Sequence, residues 1–115
     1  MAVYFNQIIV AGNMVADAEL AKTNNGTPVT NFRMAINTRI GGDQEKVTFI
    51  DVTVFGKLAE IVCQYARKGS GVLVSGRLDE DQWEKDGVRH FKHFITAEYF
   101  RVLSGFKDRD EEKSW

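Results

Sequence analysis

Apolar and polar residues alternate with a period of two through most of this chain, and that periodicity predicts strands. The first runs over Val3–Gly12 and is apolar on both faces near Ile8 and Ile9. The second, Pro28–Thr38, sets Phe32, Met34 and Ile36 against Asn31, Arg33, Ala35 and Asn37. The third, Lys46–Phe55, sets Ile50, Val52 and Val54 against Phe49, Asp51, Thr53 and Phe55. The period then changes. In GKLAEIVCQYARKG, Leu58, Ile61, Val62 and Tyr65 recur at helical spacing, with Arg67 and Lys68 in the last turn and Gly69 placed to cap it. Alternation returns over Val72–Trp83 and Val88–Leu103. The KDGV between them signals a tight hairpin, because Asp-Gly accepts the positive φ of a primed turn. NNG at Asn24–Gly26 and GGD at Gly41–Asp43 mark two further turns.

Three strands, one helix and two strands, in that order, match the OB-fold, an all-β, five-stranded Greek-key barrel that commonly binds oligonucleotides. The helix is expected between the third and fourth strands. With 115 residues the chain makes one domain, expected over 1–104, followed by a short acidic tail over 105–115. Formal net charge is −1, which excludes a global basic field, so an anionic partner has to be met by local patches. The tail holds Asp108, Asp110, Glu111 and Glu112 against Arg109 and Lys113. A lone thiol, Cys63, suits a reducing compartment. With no apolar run long enough to span a membrane and no basic leader, a cytoplasmic protein is expected.

The distribution of large aromatics changes this picture. Phe49 and Phe55 share the polar side of their strand with Asp51 and Thr53. In the fourth strand Val72, Val74 and Leu78 take the core side, and Leu73, Ser75, Arg77, Asp79, Asp81 and Trp83 the other. An exposed ring offers a π-face on which an unpaired base stacks without regard to sequence. Cross-strand pairing within the sheet, cover beneath a loop, or a subunit interface would use the same rings.

The segments NQIIVAGNMVADAELAKTNNGTPVTNF and VTVFGKLAEIVCQYARKGSGVLVSGRL, with the Trp83 that follows, resemble the bacterial single-stranded DNA-binding protein family, from about Asn6 to Leu103. The resemblance implies an OB-fold, assembly as a homodimer that doubles to a homotetramer, and single-stranded DNA wrapped over aromatic and basic surfaces in replication, repair and recombination. It implies stacking roles for Phe49, Phe55 and Trp83. A fourth stacking position of the family falls on Ile40, which offers apolar contact only. Arg33, Arg39, Lys57 and Arg77 are the leading candidates for phosphate contact, with Lys46, Lys68, Arg89 and Lys92 behind them. Arg33 and Arg77 rank first because alternation puts them on the less apolar faces of their strands. Two departures stand out. GRLDEDQW is acidic where relatives are basic, and Ile50 occupies a position that is often polar between dimers. Relatives dock replication and repair proteins through a long acidic terminus; here the linker is nearly absent, and a solvated tail is expected. The rival reading keeps the barrel as a protein–protein module, such as a primosome accessory factor.

Catalytic and cofactor chemistry lacks residues. RKGSGVLVSG has no Lys-Ser/Thr ending for a phosphate loop. His90 and His93 are an odd number of residues apart on a strand and should face opposite ways, against joint metal binding. Cys63 reads as a small helix-packing residue, and no carboxylate pair suggests acid–base work. No enzyme, no metal and no cofactor is expected.

Overall fold

The structure, a computed structural model, describes residues 1–106. The tail's acidic residues, Asp108 to Glu112, lie outside the described residues. The elements are β1 (Ile8–Met14), β2 (Ala21–Lys22), β3 (Pro28–Gly41), β4 (Gln44–Phe55), α1 (Lys57–Tyr65), β5 (Gly71–Lys85) and β6 (Val88–Ser104). Neighbours run β1-β5-β6-β4-β3, and a β1–β3 pairing at Asn13↔Ala35 and Met14↔Met34 closes the barrel. All pairings are antiparallel except β4–β6, which is parallel over Asp51↔Phe94, Val52↔Ile95 and Thr53↔Thr96. This is the five-stranded OB barrel, with β2 as a two-residue addition beside β3.

That addition corrects one expectation: α1 falls between the fourth and fifth strands. Two residues carry no period, so β2 leaves no trace in the sequence. The first strand also begins later than expected, at Ile8. Upstream of it, Asn6 stands in for a strand residue: its Nδ2 donates to the Leu78 carbonyl at 2.8 Å and its Oδ1 accepts from the Leu78 amide at 2.8 Å. The core includes the inward positions Phe32, Met34, Val52, Val54, Val72 and Val74 that alternation had marked, joined by Met14, Ile95, Ala97 and Phe100. Phe32 and Phe100 meet edge to face at 5.9 Å, a favoured aromatic geometry.

Leu78 departs from the core stripe of its strand and is 43% exposed. The pairing of β5 with β1 ends at Gly76, and beyond Asp79 β5 and β6 continue as a two-stranded arm, so Leu78 lies at the margin of the barrel. Gly76 makes the crossing possible, because a Cβ there would run into the backbone carbonyl of Thr96. β6 carries an extra residue at the same place, Glu98, between Ser75↔Tyr99 and Gly76↔Ala97. Such a bulge bends its strand.

The helix is entered through Gly56, whose φ of 72° favours glycine and whose amide donates to the Pro28 carbonyl at 2.8 Å. Its buried side is Ala59 and Val62, continued by Ala66 at the cap, with Leu58 and Cys63 partly covered; Tyr65 is exposed. The expected last turn is not helical. The chain turns extended at Ala66, and Arg67 and Lys68 follow it. Tertiary partners take over the backbone there: the Lys68 amide donates to Asp17 Oδ1 at 2.7 Å, the Arg67 amide to Ser70 Oγ at 2.9 Å, and Ser70 Oγ to the Gly105 carbonyl at 2.5 Å. Those bonds tie the β1–β2 loop and the end of β6 to the foot of the helix.

Candidate nucleic-acid interface

Register carries the outward residues of four strands into rows across the barrel. One row is Arg33, Asp51, Phe94 and Asp79; the next is Asn31, Thr53, Thr96 and Arg77. Moving out along the β5–β6 arm, Asp81 faces Lys92, and Trp83 faces His90. Between this surface and the β1–β2 loop lies a groove of about 560 Å³, lined by Asp17, Asn31, Arg33, Asp51, Lys92 and Phe94 among others.

The candidate stacking residues all stand on the outward side, as alternation implied. Phe49 is 55% exposed, Phe55 48% and Trp83 47%. They are spread out rather than clustered. Phe49 and Phe55 lie six positions apart on β4, roughly 20 Å at the rise of a strand. Trp83 stands on the β5–β6 arm, beyond the row of Asp81 and Lys92. The arrangement is a track with rings at intervals, a geometry that suits an extended strand of bases better than a compact ligand.

The cations between the rings are already engaged. Arg33 Nε lies 3.3 Å from Asp51 Oδ1, and Lys92 Nζ lies 2.5 Å from Asp51 Oδ2. One carboxylate therefore holds two of the groove's cations. Arg33 also passes over the Phe49 ring, its Cζ 5.8 Å from the centroid, within cation–π range. Arg77 pairs with Asp79 at 3.1 Å and with Glu98 at 3.5 Å, and Asp79 also accepts from Thr96 Oγ1 at 2.5 Å. Thr53 Oγ1 donates to Asn31 Oδ1 at 2.6 Å. Pairs this exposed are each worth about 0–1 kcal/mol, so phosphate can compete for these cations.

The remaining candidates lie at the margins. Arg39 sits on the β3–β4 hairpin, 4.0 Å from Glu45. Ile40, 56% exposed, falls at the irregularity in that hairpin, between Arg39↔Glu45 and Gly41↔Gln44. Lys57 is the exposed first residue of α1, two residues after Phe55. Phe94 was overlooked as an interface aromatic. It shares parity with His90, Lys92 and Thr96, which was legible, but only the parallel β4–β6 register puts it beside Asp51. His90 and His93 face opposite ways: His90 stacks on Trp83, and His93 Nε2 lies 2.8 Å from Glu80.

Comparisons with known proteins agree with this geometry. The model of the single-strand binding protein family matches residues 5–103. A single-stranded DNA-binding protein of Helicobacter hepaticus is 38% identical over 112 residues, covering 93% of this chain and 66% of the relative. One of Wolinella succinogenes is 36% identical over 104 residues, covering 86% of this chain and 64% of the relative. Single-stranded DNA-binding protein 2 of Streptococcus agalactiae is 34% identical over 107 residues, covering 91% of this chain and 82% of the relative. The chain thus spans just under two thirds of the first two relatives' length. A closed OB barrel with an aromatic outer track, together with a family match from Phe5 to Leu103, places the chain in the single-strand binding protein family.

Proposed function

We propose that the protein binds single-stranded DNA with little sequence preference, along the outer face of β3, β4, β5 and β6, and so protects unpaired strands in replication, repair and recombination. The observation that carries the reading is the outward exposure of Phe49, Phe55 and Trp83 about a groove whose cations, Arg33 and Lys92, lie between them. Bases stack on the rings, and phosphates compete with the carboxylates for the cations between them. Arg77, Arg39 and Lys57 contact the backbone further along, and Ile40 gives apolar contact at the hairpin. Stacking does not depend on base identity, which accounts for low sequence preference. The role is one of binding, without catalysis.

Assembly belongs to the same reading. β1 pairs with β5 along one side but with β3 only at Asn13 and Met14 on the other, and Ile9 on it is 60% exposed. An unpaired edge next to apolar surface favours pairing with a second copy, which supports a homodimer doubling to a homotetramer. On β6, Arg101 donates to Tyr99 Oη at 3.4 Å, and that hydrogen bond raises the guanidinium's pKa further. No helix among the described residues is long and apolar enough to cross a membrane; a place at the bacterial nucleoid follows from the DNA.

The test is titration with oligo(dT) at two salt concentrations, for the parent, Trp83→Ala and Phe55→Ala. Each variant should lose roughly 1–3 kcal/mol of binding with little change in thermal unfolding. Parental affinity in both variants would remove the stacking reading.

A further inference from the structure

Trp83 stands outside the barrel, on an arm with no core to hold its ring. Its support comes from across the hairpin. His90 is its register partner, and the two rings are stacked, with centroids 5.5 Å apart and planes 18° from parallel. With the indole still 47% exposed, the imidazole serves one side and leaves surface for a base. An unbraced indole on a two-stranded arm would have to be ordered when the base arrives. A stacked one is ordered beforehand, so less affinity is lost to entropy.

We propose that His90 is a positioning residue for DNA binding: its imidazole braces Trp83 to receive a base, and its protonation tightens the grip of the arm on the strand. The proposal rests on the stacking reading given above. Imidazole is the side chain that changes charge in the neutral pH range. As a cation it would lie within the distance at which a positive charge is attracted to an indole face, and it would add a positive charge beside the path of the phosphates. On its own face, Asp81 and Lys92 form the next row inward, and Lys85 and Asp86 lie at the turn. From β4, Asp51 is held by Lys92 and Arg33, and Glu45 by Arg39. Glu84, Arg89, Glu80 and His93 lie on the opposite face of the arm. Among the side chains facing this arm, imidazole is the type that changes charge between about pH 8 and about pH 5.5.

The experiment uses the full chain with Trp115→Phe, which leaves Trp83 as the reporter among the two tryptophans. Into this background go His90→Ala, His90→Phe and, separately, Trp83→Ala. Binding of labelled oligo(dT) is measured by anisotropy from about pH 8 to about pH 5.5 at constant ionic strength, and Trp83 emission is followed in the free proteins. In the background protein, acidification should quench Trp83 and tighten binding about three- to ten-fold, the range of an aromatic or cation–π contact. His90→Phe keeps a ring but no charge, so it should hold the affinity seen at about pH 8 throughout, with flat emission. His90→Ala should bind about three-fold more weakly even at the alkaline end. A pH response that persists in His90→Phe assigns the effect to another group and overturns the proposal. So does full affinity in His90→Ala. If Trp83→Ala itself binds normally, Trp83 is no stacking residue and the reading fails at that ring; if it is weak while both His90 variants match the background protein, only the role of His90 fails.

Discussion

Asp51 is the residue whose removal should change DNA binding most informatively. Its carboxylate is 26% exposed and takes Arg33 on one oxygen and Lys92 on the other, while those side chains remain 59% and 51% exposed. Asp51→Asn keeps the shape and removes the charge. Each surface pair is worth about 0–1 kcal/mol, so the variant should unfold at most a few degrees below the parent. The effect on DNA should be larger. Two released cations able to meet phosphate add about −0.7 each to the slope of log K against log salt, or about −1.4 together. Over a tenfold drop in salt that amounts to about 25-fold more gain in affinity than the parent shows. The assay is anisotropy of labelled oligo(dT) over a series of salt concentrations, with Asp51→Asn/Arg33→Gln/Lys92→Gln as the reverting control. Parallel lines for parent and variant would refute the reasoning. They would mean either that the two cations already leave Asp51 for phosphate in the parent or that DNA never reaches them.

Phe49→Ala should weaken oligo(dT) binding by roughly 1–3 kcal/mol and free the Arg33 guanidinium from the ring; titration at fixed salt checks the first, and an unchanged Kd would take Phe49 off the DNA path. Gly76→Ala should destabilise the barrel by about 1–3 kcal/mol, because the new methyl meets the Thr96 carbonyl; urea unfolding reads this directly. Asn6→Ala removes both bonds to the Leu78 backbone, at about 1 kcal/mol each, and should speed hydrogen exchange at the Leu78 amide while leaving exchange in β3 unchanged.

Periodicity alone identified the five main strands, the helix after Phe55, the outward placement of Phe49, Phe55, Trp83 and Arg33, and half of the core, because a side chain's face in a strand depends only on its immediate neighbours. The same local rule failed wherever a distant segment decided the outcome. Leu78 has the parity of a core residue but sits where β5 has run past its pairing with β1. The last turn of the helix gave way to bonds from Asp17 and Ser70, residues remote in sequence or committed to Gly105. The pairing of Arg33 and Lys92 on one carboxylate, the place of Phe94 beside it and the stack of His90 on Trp83 all depend on register between strands. Register is set by barrel closure, by the Glu98 bulge and by the glycine crossings, and these are contacts between residues far apart in the chain. Sequence periodicity therefore determined which residues face outward, while only the tertiary structure decided which of them became neighbours and which charges were already paired before any DNA arrives.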